Sequence, residues 1–498
     1  MEREGPDPKR IFIAMALIAF LILGFEILSY YYFGSRPQPE KKEKVEEEKK
    51  PKPLPKLMLG TRRERTGTGD TVKLDLGDYS LEIALVGGRI VRLVDKRFGF
   101  DLISEAERKL KVFPLEVFTG DPETDQRINF GTYRVEEKEG KVILTLEDDK
   151  VKLRKILESR GNHFVFKVET DLRPVYVLAG THPSEKSFYT HEGPVLKVNG
   201  KVIRVDKDEV QGRSVFEGNI EFAGEESRYF FKGFKGDIGT VIVEKVSHRD
   251  EEITFTYVEI KKPLLMYMGA KYYSRIRELG LGDLLDYGML KIIVKPLFLF
   301  MHWVYEMTKS WVLSIIVLTL ILRVVFFPLN YKSTVSMMKL QEAAPKLEKI
   351  RKKYKDDPAK MQEEMMKLYS EIGFNPMSGC LPILVQIPIF FALYKVLIIT
   401  VDLKLTGLLW IPSLAEKDPF YILPVVMGLT MILQQKITPS PDPKQNLIMY
   451  ISAVVFTLLF ANFPSGLVLY WTVNNILNIV QNYLIKNYLL RGKSPETT

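Results

Sequence analysis

The chain has 498 residues, enough for two or three domains, with 46% hydrophobic residues, a formal net charge of +9 and a single cysteine. One cysteine excludes an intramolecular disulfide, so an extracytoplasmic domain must be stable without one. The mean hydropathy of -0.03 is that of a soluble protein, but this average misleads because apolar residues are concentrated in a few long runs. The positive charge suits a nucleic acid, an anionic membrane surface or a ribosome, depending on where it lies.

The first apolar run covers residues 11–33, which as a helix span about 34 Å, more than the ~30 Å of a bilayer core. Lys9 and Arg10 precede the run, and three tyrosines end it as an interfacial belt. A cleaved signal peptide is the alternative, but such peptides have a shorter apolar core followed by small residues. The pattern predicts an uncleaved signal-anchor helix at 11–33, a cytoplasmic N-terminus at 1–10 and a flexible linker at 34–56.

Residues 57–265 have a different character, because short runs alternate apolar and polar side chains, as at 142–146 and 253–258. Gly, Asn and Asp separate these runs, as in turns between half-buried strands. This pattern predicts a large all-β sandwich, periplasmic if the first helix runs from inside to outside. Residues 266–308 then mix apolar pairs with Asp286, Lys291 and Lys295, which predicts an amphipathic surface helix region along the membrane.

Five further apolar runs follow and predict a five-helix core, so that the fold class is a polytopic α-helical membrane protein with about six spans plus the β-sandwich. The predicted transmembrane helices are 309–331, 375–399, 421–437, 447–462 and 463–485. The segments between and after them are 332–374, 400–420, 438–446 and 486–498. The apolar parts at 421–433 and 447–461 reach only about 20–22 Å as helices, which predicts a locally thinned bilayer unless the helices continue further.

Charge supports one orientation for these helices. The 332–374 segment and the 486–498 tail are rich in Lys and Arg, whereas the turn at 462–465 has no charge. By the positive-inside rule, the first two are cytoplasmic together with 438–446, and 400–420 is periplasmic. Apolar residues at helical spacing on both sides of Pro358 predict a cytoplasmic helical hairpin at 332–374, whose basic outer faces are either a solvated surface or a ribosome contact.

Arg323 is the most informative residue, because it lies inside an apolar run. An arginine at the bilayer centre costs about 2.5–3.5 kcal/mol. Snorkelling to the cytoplasmic surface is the alternative, but a helix that ends near Lys332 leaves about 13 Å to cover. The sequence therefore predicts that Arg323 faces water inside the helix bundle, with Thr319 one turn earlier on the same face.

The last span carries a polar stripe that supports this prediction. Its members are Trp471, Asn475, Asn478 and Asn482, with Asn474 and Gln481 beside them. Hydrogen bonding between helices is the alternative role for such a stripe. Gln386, Gln434 and Gln435 add polar groups from two other spans. Together these residues predict a hydrated cavity with one positive charge.

Enzymatic activity is not expected. The chain has no GxxxxGK[ST] motif for phosphate binding. Four of its five histidines lie in the predicted β-sandwich and His302 precedes the second span, so no histidine is available within a span. We predict no catalytic residue, no cofactor and no metal site.

Four stretches of the membrane part carry a resemblance to a known family. They are ILRVVFFPLNY at 321–331, NPMSGCLPILVQIPIFF at 375–391, DPFYILPVVMGLTMILQQK at 418–436 and FPSGLVLYWTVNN at 463–475. The order and spacing of these stretches resemble those of the YidC family of membrane protein insertases. The large domain that follows the first span resembles the β-supersandwich of the bacterial members by its position and length.

The resemblance implies a hydrophilic groove that is open to the cytoplasm and to lipid. Arg323 matches the groove arginine of the family and Thr319 its neighbour, Tyr470 and Trp471 match an aromatic pair, and Gln435 matches a groove glutamine. The implied partners are nascent membrane proteins, the ribosome, the Sec translocon and the lipid bilayer, without recognition of a nucleic-acid sequence. The implied location is the bacterial inner membrane.

The hypothesis from the sequence is therefore an insertase and chaperone that works without nucleotide hydrolysis, alone or with the Sec translocon. Its groove residues would be Arg323, Thr319, Gln386, Gln435, Tyr470, Trp471, Asn474, Asn475 and Asn478. Two alternatives remain: a transporter with a polar pore, and a binding protein whose β-sandwich captures a ligand while the helices anchor it.

Overall fold

The structure is a computed structural model, and the residues it describes are 70–138, 140–182, 190–248, 251–288, 290–375, 381–440 and 443–491. They form two compact units, which we call the β unit (70–288 with 398–405) and the helical unit (290–397 with 406–491). The predicted N-terminus at 1–10, signal-anchor helix at 11–33 and linker at 34–56 lie outside the described residues, as do Cys380 and the tail from residue 492.

The β unit confirms the predicted large β-sandwich. One sheet has four strands in the order β1-β2-β3-β4, and the other has thirteen, with a main path β12-β11-β14-β15-β17-β9-β8-β7-β6. The strands are β1 Thr71–Leu76, β2 Tyr79–Ala84, β3 Arg89–Asp95, β4 Phe100–Asp101, β5 Val117–Phe118, β6 Arg134–Lys138, β7 Lys141–Glu147, β8 Lys152–Ser159, β9 Phe164–Glu169, β10 Tyr176–Gly180, β11 Gly193–Val198, β12 Lys201–Arg204, β13 Arg213–Phe216, β14 Ile220–Glu226, β15 Phe230–His248, β16 Glu251–Ile260 and β17 Leu264–Ala270. Its helices are α1 Glu105–Leu110, α2 Pro122–Phe130, α3 Tyr273–Glu278 and α10 Val401–Lys404.

The alternating sequence pattern produces the core of this unit. In β7, Val142, Leu144 and Leu146 are buried while the strand ends are exposed, because successive side chains point to opposite faces. Leu81 of the small sheet and Phe166 of the large sheet belong to one buried cluster. The two sheets therefore share this hydrophobic core, and a second buried cluster that includes Phe118, Tyr176 and Tyr257 lies elsewhere in the unit.

Strand β15 organises the large sheet, since it pairs with β13, β14, β16 and β17 along its 19 residues. Gly224 of β14 stands opposite Gly233 of β15. A Cβ atom on Gly224 would lie 2.1 Å from the Lys232 carbonyl oxygen. Glycine is therefore required here by the close approach of the two backbones.

The β unit also buries an ion pair completely. The Lys232 ammonium lies 2.8 Å and 2.9 Å from the two carboxylate oxygens of Glu107, and neither side chain is exposed. The same carboxylate accepts hydrogen bonds from the backbone N–H of Ser104, at 2.7 Å, and of Thr181, at 3.0 Å. Glu107 thereby completes the capping box of α1 and neutralises a buried cation.

Residues 398–405, which are the last two residues of α9 and the six that follow, complete the β unit. Val401 and Leu403 of the short helix α10 are fully buried, and Val401 is part of the main core cluster. The Nε of Arg228 donates a hydrogen bond to the Ile398 carbonyl oxygen at 3.0 Å. The predicted periplasmic loop at 400–420 is thus divided, because its first residues belong to the β unit.

Asp402 in this segment gives the β unit a pH-dependent stability. Burial raises the pKa of the Asp402 carboxyl from 3.8 to about 6, and Arg97 and Arg275 offset only part of this effect. Since the folded pKa exceeds the unfolded one, the contribution of Asp402 is fully present below the unfolded value and is lost as the pH rises through the folded value. We expect the free energy of unfolding to fall by up to about 3 kcal/mol between about pH 4 and 6 from this group.

Urea unfolding of the full chain, followed by hydrogen exchange of β-unit peptides, measures this dependence. Asp402→Asn should flatten the profile over that pH window, because the amide does not titrate. An equally steep profile in the variant would contradict the assignment.

The helical unit consists of α4 Lys291–Thr308, α5 Trp311–Val325, α6 Phe327–Glu342, α7 Ala344–Lys353, α8 Pro358–Ile372, α9 Leu381–Ile399, α11 Ile422–Ile437, α12 Pro443–Phe460 and α13 Ser465–Arg491. Judged by length and hydropathy, no single helix in the described part of the chain is sufficient to cross a membrane, whereas the bent pair of α5 and α6 is sufficient together.

The predicted single helix at 309–331 is two helices in the structure. Helix α5 ends at Val325, and α6 begins at Phe327 with a bend of 66° between them. Pro328 lies in the first turn of α6, where its missing N–H is harmless, whereas a continuous helix would place its ring against a carbonyl of the preceding turn. Arg323 is therefore two residues from the end of its helix, closer than the sequence predicted.

The predicted amphipathic region at 266–308 is also divided. Its first residues form the end of β17 and the helix α3 in the β unit, and only α4 is a long helix of the helical unit. Helix α4 buries Val294, Phe298 and Met301 but leaves Ile292 and Trp303 exposed. The sequence missed β17 because its run of apolar residues is buried on both faces and has no strand period.

The predicted hairpin at 332–374 corresponds to α7 and α8, preceded by the second half of α6. Leu347 of α7, Leu368 of α8 and Leu340 of α6 share one buried cluster. Asp357 caps α8 by accepting a hydrogen bond from the Lys360 N–H at 3.0 Å. The two apolar stripes thus meet, and α6 adds a third element to their cluster.

Candidate polar site in the helical unit

Arg323 is hydrogen-bonded to the last helix. Its guanidinium donates to the Asn474 carbonyl oxygen at 2.6 Å, to the Asn474 side-chain oxygen at 2.9 Å and to the Asn478 side-chain oxygen at 3.5 Å. Asn474 and Asn478 are four residues apart, so they occupy one face of α13 and meet one side chain of α5.

The charge of Arg323 is matched by neutral amides only. No carboxylate of the described residues forms an ion pair with it, and its Nε has no hydrogen-bond partner among them. Val324 and Val325, the next residues of α5, are well exposed on the other side. The guanidinium thus points toward α13.

Two more predicted residues join this arrangement. The side-chain amide of Gln386 on α9 donates a hydrogen bond to the hydroxyl of Tyr470 on α13. Tyr470 is buried and close enough to Arg323 for an electrostatic interaction. We call Arg323, Gln386, Tyr470, Asn474 and Asn478 the polar cluster. It joins three helices that are far apart in sequence.

The Gln386–Tyr470 pair supports a direct prediction. Tyr470→Phe should lower the free energy of unfolding by about 1 kcal/mol, because the half-buried Gln386 amide loses its partner. Gln386→Leu in the same chain should recover part of this loss, since an apolar pair leaves no polar group unsatisfied. Thermal unfolding of the purified protein in detergent measures both. Strictly additive losses in the double variant would show that the pair is not formed.

The remaining predicted residues lie elsewhere. Thr319 is fully buried and its hydroxyl donates to the Ile315 carbonyl oxygen of its own helix at 2.7 Å. The Asn475 amide donates to the Thr430 hydroxyl of α11 at 3.0 Å. The Gln435 amide donates to the Asn446 side-chain oxygen at 2.8 Å, near the start of α12. The Thr319 contact lies within α5, the other two contacts link helices, and none reaches Arg323.

Trp471 belongs to an aromatic group rather than to the polar cluster. Its ring lies 5.3 Å from Phe460, 5.7 Å from Phe390 and 6.4 Å from Phe456, measured between centroids. Adjacent positions on α13 point in different directions. The stripe expected from the sequence is thus divided between a polar and an aromatic environment.

The C-terminal half of α13 carries two further polar residues, Gln481 and Asn482, that the predicted groove did not include. The Asn482 side-chain oxygen accepts a hydrogen bond from the Thr334 hydroxyl of α6 at 3.0 Å. Gln481 is buried, and neither of its side-chain polar atoms has a partner among the described residues. Both residues were visible in the polar stripe, but Thr334 lies in the charged segment that the sequence assigned to the hairpin. In the described part of the chain, no group of His, Cys, Asp or Glu is arranged to hold a metal ion.

Comparison with known proteins agrees with the resemblance found in the four motifs. Residues 303–492 match the family described as 60Kd inner membrane protein. A membrane protein insertase YidC from Aquifex aeolicus is 59% identical over 497 residues, which cover 99% of this chain and 98% of that protein. The Campylobacter jejuni protein of the same name is 34% identical over 417 residues, covering 80% and 79%.

The crystal structure of an active YidC insertase with its first transmembrane domain resolved has 20% sequence identity and a TM-score of 0.42, and the match covers 83% of this chain and 92% of that one.

Proposed function

The chain belongs to the YidC family of membrane protein insertases, and from this premise we propose that it inserts client membrane proteins into the inner membrane and assists their folding by way of the polar cluster. The observation that carries the proposal is Arg323, a cation on an apolar helix whose partners are neutral amides. An acidic or polar flank of a client would find there a charge that no described carboxylate neutralises.

Hydrophobic transfer of the client supplies the driving force. An apolar segment that leaves water for the bilayer gains about 25 cal/mol per Å² of apolar surface, far more than one polar contact. The polar cluster would therefore lower the cost of passing the hydrophilic flank rather than drive insertion. This division of roles requires no nucleotide and no covalent step.

The short helices α5 and α11 support a thinned bilayer around the cluster, whereas α9, α12 and α13 have 19, 18 and 27 residues. Helix α5 has 15 residues and α11 has 16, so at ~1.5 Å per residue they span about 22–24 Å, less than the ~30 Å hydrocarbon core. Short spans draw the two membrane surfaces together. A client flank then crosses a thinner barrier.

The topology that we propose has six spans, counting residues 11–33, with both chain ends in the cytoplasm and the β unit in the periplasm. The basic residues Arg351, Lys352 and Lys353 at the end of α7 support a cytoplasmic location for the hairpin. The same surface is the proposed contact for a ribosome, and the Sec translocon is the proposed partner for larger clients.

Reconstitution tests this proposal. The purified full chain in sealed vesicles, without nucleotide and without the translocon, should make a ribosome-released single-span client protease-resistant. A photoreactive residue in place of Asn478, which is half-buried at the cluster, should crosslink the client's flank, whereas one in place of the buried Thr319 should not. Insertion that requires ATP hydrolysis by this protein, or equal insertion in empty vesicles, would contradict the proposal.

The same vesicles separate the two alternatives. A transporter would carry small solutes across the sealed bilayer and would not need a client. A ligand-binding β-sandwich with a helical anchor would lose its activity when residues 57–262 are deleted. Because Val401 and Leu403 lose their packing in that deletion, the shortened chain should also carry Val401→Ser and Leu403→Ser, so that exposed apolar residues do not cause aggregation.

A further inference from the structure

The segment between α10 and α11, residues 406–421, contains a turn with an unexpected residue at its tip. Leu408 and Ile411 exchange two backbone hydrogen bonds of 2.8 Å each, so Leu409 and Trp410 are the central residues of a tight turn. Leu409 has a φ of 52°, in the left-handed region. Its side chain is 85% exposed.

A leucine is an unfavourable choice at this position. The left-handed conformation brings the Cβ atom close to the backbone, and such turns prefer glycine, asparagine or aspartate. The turn between β11 and β12 follows that preference, since Asn199 with a φ of 49° is followed by Gly200. Strained positions that keep a bulky side chain concentrate at functional sites. The exposed leucine therefore needs an explanation that turn formation does not supply.

The exposure of Leu409 is built into a rigid segment. The buried Asp418 carboxylate accepts hydrogen bonds from the Trp410 indole N–H at 3.0 Å and from the backbone N–H groups of Phe420, at 3.0 Å, and Leu423, at 2.7 Å. Ser465, at the start of α13, donates to the Glu416 carbonyl oxygen through both its N–H and its hydroxyl, at 2.6 Å each.

The inner side of the segment is packed and the outer side is apolar. Ile411 and Leu414 are buried, whereas Phe420 is 66% exposed. Tyr421, which follows Phe420 and is also exposed, again has a positive φ, of 59°. Leu409 and Tyr421 are thus exposed at backbone positions with a positive φ, and the exposed Phe420 lies next to Tyr421.

This outer surface continues into the exposed side of α11. Ile422, Val425, Leu429 and Leu433 are exposed and recur at helical spacing. In the proposed topology this side of α11 contacts acyl chains. Phe420 and Tyr421 extend it directly, because no charged residue lies between Phe420 and Ile422.

We propose that residues 406–421 form a lipid anchor, in which Leu409 and Phe420 enter the acyl region of the outer leaflet and Trp410 lies at the level of the headgroups. The inference rests on the membrane-spanning part of the proposed function. It goes beyond the sequence prediction of a periplasmic loop at 400–420. Burial of two large apolar side chains in hydrocarbon is favourable, and a tryptophan whose N–H is already bonded to Asp418 suits the interface.

Fluorescence quenching tests the anchor. In the full chain with Cys380→Ser, the dye NBD would be attached to single cysteines introduced as Leu409→Cys, Phe420→Cys, Lys417→Cys and Leu429→Cys. The labelled proteins would be placed in vesicles that contain nitroxide-labelled phospholipids. We expect strong nitroxide quenching and blue-shifted emission at 409, 420 and 429, and strong quenching by aqueous iodide at 417 only.

The control position separates this inference from the proposed function. Quenching by nitroxide at 429, with iodide reaching 409 and 420 as readily as 417, would overturn the anchor and leave the membrane topology intact. Protection of 409 and 420 from both quenchers would overturn it in favour of a protein partner. Absence of nitroxide quenching at 429 would overturn both proposals.

A second variant tests whether the left-handed backbone conformation of Leu409 serves the lipid anchor. Leu409→Asn suits the turn, so it should raise the unfolding temperature in detergent. In vesicles the same change should reduce nitroxide quenching of a dye at position 420 at least twofold, because the neighbouring apolar group is lost. An unchanged depth at 420 would overturn the role of Leu409.

Discussion

Replacing Arg323 with alanine is expected to reduce the insertion of a single-span client about ten- to hundredfold. A charge-assisted hydrogen bond to the client contributes about 1.5–3 kcal/mol, which corresponds to that factor. Asn474 and Asn478 already orient the guanidinium, and its Nε has no partner among the described residues. The initial rate at which a client becomes protease-resistant in sealed vesicles measures the effect, with equal amounts of folded protein.

Three matched variants define what the arginine does. Arg323→Lys retains the charge but loses the planar donor fork, so an intermediate rate is expected. Asn474→Ala retains the arginine and removes a partner, so thermal stability should fall more than insertion does. Leu320→Ala changes an exposed residue one turn earlier and should change neither. An unchanged insertion rate in Arg323→Ala would remove the polar cluster from the mechanism.

Replacing Lys232 with methionine is expected to destabilise the β unit by about 3–5 kcal/mol, because it leaves the buried Glu107 carboxylate without a cation. The N–H groups of Ser104 and Thr181 also bind this carboxylate and reduce the loss of stability, but they do not neutralise its charge. Hydrogen exchange of β-unit peptides in the full chain, at increasing urea concentration, measures the change.

Two controls make this result specific to a buried pair. Lys232→Met combined with Glu107→Gln removes both charges and should restore much of the stability. Lys262 pairs with Asp237 at 2.8 Å on the surface, where both side chains are more than half exposed. Lys262→Met should therefore lower the stability of the β unit far less than Lys232→Met does. Equal effects at Lys232 and Lys262 would contradict the argument.

The sequence predicted the features that depend on local pattern. The period of two in β7 required one buried face, and the β-sandwich follows from many such strands. Arg323 was identifiable because a charge within an apolar run is costly wherever the helix lies. The spacing of apolar residues around Pro358 was enough to predict the contact of α7 with α8.

Features that depend on how helices are rotated and paired were not predictable in this way. Asn474 and Asn475 are neighbours in sequence, yet one bonds to Arg323 and the other to Thr430, because consecutive helical positions point about 100° apart. Only the relative rotation of α5, α11 and α13 decides which asparagine meets the arginine, and local pattern does not fix it. The break between α5 and α6 was predictable from the sequence, because Pro328 disfavours a continuous helix.

The membership of residues 398–405 in the β unit has a consequence for the order of biosynthesis. Val401 and Leu403 are core residues of that unit, yet the ribosome makes them long after the last strand, β17. A nascent chain that stops before residue 398 carries a β unit that lacks the buried side chains of Val401 and Leu403, so the apolar residues that pack against them are exposed. Folding of this unit is therefore completed only after α9 has been synthesised, and a fragment that ends at residue 288 lacks part of its own interior.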